Sequence, residues 1–261
     1  MTLNLYGAVA GCTSIVAFVV TWRLVKPQPI ARKLWTFAGF AILSVPALLA
    51  STYYLHLFPD QPWFYTLRSW PGTEFLVVFL GCAGGSFASL LPNVLMGFPL
   101  FAVMAIAAIP YLKPILSPLP EDAFADRWKD GTCLPSTPST CGPASVCSVL
   151  SRLGAKATER EVAHAAYSYS GGTEAWYLAR FVRQKGFQPR FGFQDGFSPS
   201  VPLPAIVGVR RGLMGHFIAV FSISNGVVTF ADPMVGEEQM PLSQFLRRYS
   251  FSGFHLSITK S

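Results

Sequence analysis

The sequence predicts an all-α membrane region of about four transmembrane helices, followed by an α+β domain of helices packed on an antiparallel sheet. Three observations carry that expectation. Only 13% of the 261 residues are charged, whereas 51% are apolar, and the usual charged share is about 25%. The charge is also unevenly placed, with eight charged side chains in residues 1–113 and 25 in residues 114–261. Finally, the apolar period changes near Phe187, from helical spacing to the alternation of half-buried strands. This composition excludes an intrinsically disordered chain and argues against an ordinary soluble globule.

Four apolar stretches suit membrane helices, at about 5–22, 34–55, 75–91 and 94–112, each judged against the roughly 20 residues needed to span the hydrocarbon core. The third is the weakest, with Gly81, Gly84 and Gly85 beside Ser86 and Ser89, small residues that suit close helix packing. Pro92-Asn93 alone separates it from the fourth, so the two read as a tight helical hairpin. Arg23, Lys26, Arg32 and Lys33 crowd the first loop, while the second carries Trp63, Tyr65 and Trp70, which seek a membrane interface. The basic loop is therefore expected inside, and an even number of crossings places the C-terminal domain outside. No positive charge precedes Arg23, which fits a retained anchor better than a cleaved signal. His56 reads as interfacial.

Pro114, Pro118 and Pro120 are expected to stop the last helix, and 114–130 reads as a linker to a domain over 131–261. Residues 142–153 have helical apolar spacing and stop at Gly154. Thr158 with Glu161 is a capping box for a helix through about Tyr167. Thr173 is expected to cap 174–185, which stops at Gly186. Strands are expected at 187–193, 205–209, 216–224, 227–231 and 254–259, with Asn225-Gly226 as a two-residue hairpin turn. A short helix is expected near 242–248. No Gly-rich phosphate loop with a lysine appears, and nothing resembles a nucleic-acid reader.

The densest chemistry lies at Ser136-Thr137-Pro138-Ser139-Thr140-Cys141-Gly142-Pro143. A loop delivers Cys141 to the first turn of a helix, where free N–H groups and the helix dipole favour thiolate over thiol. Pro143 costs little there, and Gly142 allows close approach to the sulfur. A nucleophilic thiolate wants an imidazole and a group that orients it. His216 follows Gly215 at the start of an apolar strand, and Asp232 ends the next strand of the same hairpin. Counted back from Asn225-Gly226, both lie near its open end.

Thr140-Cys141-Gly142-Pro143-Ala144, then Gly215-His216-Phe217-Ile218-Ala219-Val220, then Asp232-Pro233 and Gly236 resemble the papain-fold bacteriocin-processing peptidases, which cleave leader peptides after a double glycine. The resemblance covers about 131–261 and excludes the membrane half. It implies an α+β papain-like cysteine peptidase domain, with Cys141 as nucleophile, His216 as general base and acid, and Asp232 orienting the imidazole. A peptide or protein is the implied substrate, with no cofactor and no metal. Because the family often forms part of an ABC exporter and that portion is missing here, a separate exporter or membrane complex is the implied partner beside the lipid bilayer, in a bacterial inner membrane. The chain departs from the family at Pro135, six residues before the cysteine, where a glutamine normally donates to the oxyanion. Losing one such donor costs roughly 10²–10³ in turnover. Ser136, Ser139 and the Cys141 N–H are the candidate replacements, and Gly215 is counted near the substrate. The same residues also suit a silent papain-fold module that binds a peptide or partner.

The remaining candidates have bland readings. Cys133 and Cys147 fit no common zinc spacing; Cys147 reads as core, and Cys133 as a buried thiol or a partner in a redox pair. Cys12 and Cys82 read as packing residues, His164 and His255 as surface or core. Arg210-Arg211 and Arg247-Arg248 read as a solvated face.

Overall fold

The computed structural model describes residues 4–54, 60–212 and 214–260; Leu55, which ends the second expected span, and His56, which opens the loop after it, lie outside them. The chain forms two compact units, one of residues 3–59 and 71–116, the other of 60–70 and 117–261.

The first unit is helical. It contains α1 (Leu5–Val25) and α2 (Ile30–Tyr54), then, beyond a short helix of the other unit, α4 (Val77–Ala88) and α5 (Gly97–Leu116). α1 and α2 are long and apolar enough to cross a membrane. Their outward residues are apolar too, with Ile42 72% and Trp35 79% exposed, as suits a lipid-facing surface. α4 departs from the expected span 75–91. Its 12 residues rise about 18 Å, and with the 3₁₀ turn Thr73–Leu76 ahead of them about 26 Å, against roughly 30 Å of hydrocarbon, so it is not among the helices long enough to cross by themselves. The expected packing role of its small residues holds: a Cβ at Gly81 would strike the backbone of Ser14, and one at Gly85 that of Phe18. The Ser14 hydroxyl also donates to Val77 C=O at 2.9 Å. α5 outruns its expected end, continuing through Pro114 to Leu116.

The second unit is α+β. A six-stranded antiparallel sheet has the order β3-β8-β4-β5-β6-β7, formed by β3 (Phe187–Phe193), β4 (Ala205–Arg211), β5 (Met214–Ser224), β6 (Val227–Asp232), β7 (Gly236–Pro241) and β8 (Ser250–Lys260). Along β4, Ala205, Val207 and Val209 face a core shared with Ile218, Val220, Phe230 and Phe245. The intervening Ile206 is equally buried on the opposite face. The helices are α6 (Cys141–Arg152), α7 (Glu159–Ala165), α8 (Ala175–Gln184) and α9 (Leu242–Arg248). Asn225 and Gly226 have φ of 51° and 75°, both in the left-handed region that the expected two-residue turn requires.

Four features differ from expectation. The hairpin β1 (Arg127–Lys129) and β2 (Thr132–Leu134) occupies part of the stretch read as linker, turning at Asp130-Gly131 with φ of 48° and 77°. Thr173 does not cap α8; its hydroxyl pairs with that of Ser168 at 2.7 Å, and Glu174 is the N-cap without a side-chain bond. β7 was not expected, because Gly, Glu, Glu, Gln and Pro dominate it, a composition that only an edge strand tolerates. Lastly, α3 (Pro62–Arg68) belongs to this unit. Tyr65 is buried against Trp176, Phe191 and Phe193, at 5.5, 5.4 and 5.1 Å between ring centroids. It is a core residue and not an interfacial anchor, whereas Trp63 and Trp70 are each 54% exposed.

Candidate active site

Cys141 opens α6 after a single 3₁₀ turn, Pro138–Thr140. Thr137 sets that turn: its N–H donates to Thr140 Oγ1 at 3.1 Å, while the Thr140 hydroxyl donates to Thr137 C=O at 2.9 Å. The loop ahead is anchored by Glu159, a fully buried carboxylate of α7 that accepts from Ser136 N–H at 2.7 Å and from the Ser136 hydroxyl. α6 lies against β5, with the Ser145 hydroxyl donating to Phe217 C=O at 3.2 Å. A Cβ at Gly142 would lie 3.0 Å from Leu178 and 3.3 Å from Phe217. The close approach that Gly142 permits is thus that of the protein's own core.

Across from the helix start, β5 carries His216 and the end of β6 carries Asp232, both buried. His216 Nε2 and Asp232 Oδ1 lie 2.8 Å apart. Asp232 Oδ1 also accepts from Met234 N–H at 3.0 Å, and Oδ2 accepts from the Tyr249 hydroxyl at 3.0 Å. Burial alone would raise the Asp232 carboxyl, but these three donors pull it below the ordinary carboxylate value. Burial would likewise lower His216, yet the hydrogen bonds to Asp232 and to Cys141 outweigh it and push the imidazole up to about 9. The ring is thus held by a fixed carboxylate at 2.8 Å and is influenced by the thiol at the helix start. Burial, reinforced by Asp232, raises the Tyr249 phenol, which keeps it a donor.

Of the other expected participants, Ser136 is engaged by Glu159 and also accepts from Ala125 N–H at 3.0 Å. The Ser139 hydroxyl donates to Ser170 C=O at 2.8 Å. Both hydroxyls are committed away from the sulfur. Pro135 is buried and offers only its C=O, which accepts from Arg127 at 3.3 Å. Of the donors expected near the sulfur, the Cys141 N–H stands at the start of α6, where first-turn N–H groups lack intrahelical partners. Gly215 is exposed, with open space where a Cβ would stand.

Tyr249 and Glu159 were missed by sequence reasoning. Tyr249 carries no spacing signal, since it lies between α9 and β8, 17 residues after Asp232. Glu159 had one, a charged residue in the first turn after Thr158, but it reads equally as a solvated helix start. The Cys133 thiol and burial together push the Cys147 thiol upwards. His164 pairs with Glu121 at 3.0 Å, and burial lowers the His255 imidazole. Among the described residues no cluster of His, Cys, Asp or Glu is arranged for a metal ion.

The profile of the peptidase C39 family matches residues 133–261. An uncharacterised protein of Methanothermobacter marburgensis is 33% identical over 97 residues, covering 37% of this chain and 67% of that protein. One of Methanothermobacter thermautotrophicus is 31% identical over 111 residues, covering 42% and 77%. Among solved structures, the peptidase domain of Streptococcus ComA, a bifunctional ABC transporter, aligns with 20% identity and a TM-score of 0.42 over 49% of this chain and 96% of that domain. A double-glycine-motif protease solved with its leader peptide aligns with 19% identity and a TM-score of 0.43 over 50% and 91%.

Proposed function

Because the chain belongs to the peptidase C39 family through residues 133–261, we propose that it is a membrane-anchored cysteine peptidase acting through Cys141, His216 and Asp232. The observation that carries this reading is the buried pair of His216 and Asp232, 2.8 Å apart, whose imidazole is raised by that carboxylate and by Cys141 at the start of α6. An imidazole held up to about 9 stays protonated through neutral pH and stabilises a thiolate beside it. The thiolate adds to a peptide carbonyl, and the imidazolium then gives its proton to the leaving amine. The resulting acyl-enzyme is opened by water, whose proton passes back to His216. The substrate is a peptide or protein; cleavage of a leader after a double glycine is carried over from the family resemblance. α1 and α2 anchor the chain, with the peptidase domain on the outer side.

Pro135 and the committed hydroxyls of Ser136 and Ser139 favour a second reading, a silent papain-fold module that binds a peptide or partner. The alkylation rate of Cys141 against pH, read by peptide mass spectrometry with His216→Ala as control, separates the two. The peptidase reading expects a rate that stays flat from pH 8 to pH 6 and loses that plateau in the variant. A free thiol slows about tenfold per pH unit over this range, and that behaviour in both proteins would overturn it.

A further inference from the structure

In the helical unit, α2, α4 and α5 enclose an apolar groove of about 640 Å³, within the roughly 300–1,000 Å³ of small-molecule sites. Phe37, Ala41 and Leu48 of α2, Phe87 of α4, and Phe98 and Ala102 of α5 line it. Phe98 is 81% exposed, so the groove opens sideways. Its lining includes the Ser44 hydroxyl, which is already used on Ala41 C=O at 2.8 Å. A ligand filling this groove must therefore be apolar along its length and carry any polar group at an end.

One end is charged. Phe37, Ala41, Ser44 and Leu48 follow helical spacing on one face of α2, and the next position of that face is Lys33. Its ammonium donates to Ser89 C=O at 3.3 Å. The Lys26 ammonium donates to the C=O of Leu91 at 2.7 Å, and Leu91 itself lines the groove. The lysines thus sit together where the chain leaves α4. Neutralising a helix C-terminus requires only about half an elementary charge, which leaves most of two positive charges uncompensated. The sequence has no Asp or Glu before Asp60 and none between Glu74 and Glu121, so the helices around the groove bring no carboxylate except Glu74. Each ammonium also keeps donors beyond the one it uses.

We propose that this groove binds an anionic glycerophospholipid, an acyl chain lying between α2, α4 and α5 and the phosphate meeting Lys26 and Lys33. The inference rests on α1 and α2 spanning a membrane and is independent of the peptidase chemistry. Basic clusters beside apolar helix clefts suit such headgroups.

Native mass spectrometry of the full-length protein in a neutral detergent tests it, with phosphatidylglycerol and phosphatidylcholine titrated in parallel. One phosphatidylglycerol should be retained at least tenfold more tightly than phosphatidylcholine. Each of Lys26→Gln and Lys33→Gln should cost about fivefold for the anionic lipid alone. Ala102→Trp, which fills the groove and leaves both lysines in place, should abolish retention. Arg23→Gln, in the last turn of α1, should change nothing. Equal retention of the two lipids would overturn the site. So would retention that survives Ala102→Trp, or a loss in Arg23→Gln as large as in Lys33→Gln. A chain that remains in the aqueous phase without detergent would overturn the membrane reading as well.

Discussion

Tyr249 acts on His216 through Asp232. The carboxylate has one oxygen on the imidazole and Met234 N–H and the other on the Tyr249 hydroxyl, so the phenol fixes its rotation. Rings of Phe245 and Phe230, with centroids 5.5 and 5.8 Å away, hold the phenol in turn. Tyr249→Phe should cost about 1.5–3 kcal/mol of stability, as lost bonds to charged groups do. It should also move the acid edge of Cys141 alkylation to lower pH, because an Asp232 carboxylate that has lost a donor is a stronger acceptor for the imidazolium. Thermal unfolding and the alkylation profile of the full chain check both, and an unmoved acid edge would remove Tyr249 from the site. His216 sets a second dependence. Its folded value of about 9 lies above its unfolded value of roughly 6.5. The stability it contributes is therefore complete below about pH 6.5 and is lost as pH rises through 9. Unfolding midpoints between pH 6 and 10 should fall in the native protein and stay flatter in His216→Ala. Cys147 does not confuse the thiol readout, since the Cys133 thiol and its burial keep it protonated.

At the scale of elements, the site is a hairpin brought against a helix start. Asn225-Gly226 sets Ser224 opposite Val227, a one-residue shift between Val220 and Ser222 then puts Ala219 opposite Ala231, and turn and shift together deliver His216 to Asp232. Gly226 has φ 75°, so Gly226→Val should cost about 1–3 kcal/mol and slow Cys141 alkylation at pH 7, although it touches neither residue. Intact alkylation in a measurably destabilised variant would show that the ends hold their register without the turn. This part of the molecule was legible because periodicity, turn residues and a cysteine at a helix start are local signals. β3 matches its expected bounds for that reason. What was not legible depends on distant chain. β7 is a polar edge strand, Glu159 reaches back to Ser136 across 23 positions, and Tyr65 joins the core of a domain whose main sequence begins beyond 116. A tyrosine between two apolar segments reads as an interfacial anchor until its neighbours Trp176 and Phe193 are known.

For the whole molecule, the sidedness of the peptidase domain follows from how many helices cross. α1 and α2 have the length and apolarity to do so, while α4 is too short alone. The turn between the two long helices and the first turn of α2 carry Lys26, Arg32 and Lys33 without an acid, a pattern that favours the cytoplasmic side. If α4 and α5 then enter and leave as a re-entrant pair, two crossings return the chain to the outer side, and the domain meets its peptide there. If α5 (20 residues) instead completes a third crossing, the domain is cytoplasmic. A C-terminal fusion to alkaline phosphatase, which is active only outside the cytoplasm, should be active, and a green fluorescent protein fusion at the same position should be dark. Substituting Arg32 and Lys33 by Glu should weaken that asymmetry, since the positive charge at the start of α2 favours it. The reverse pattern, a bright fluorescent fusion with inactive phosphatase, would place the Cys141 site in the cytoplasm, and its substrate would then be a peptide that has not yet left the cell.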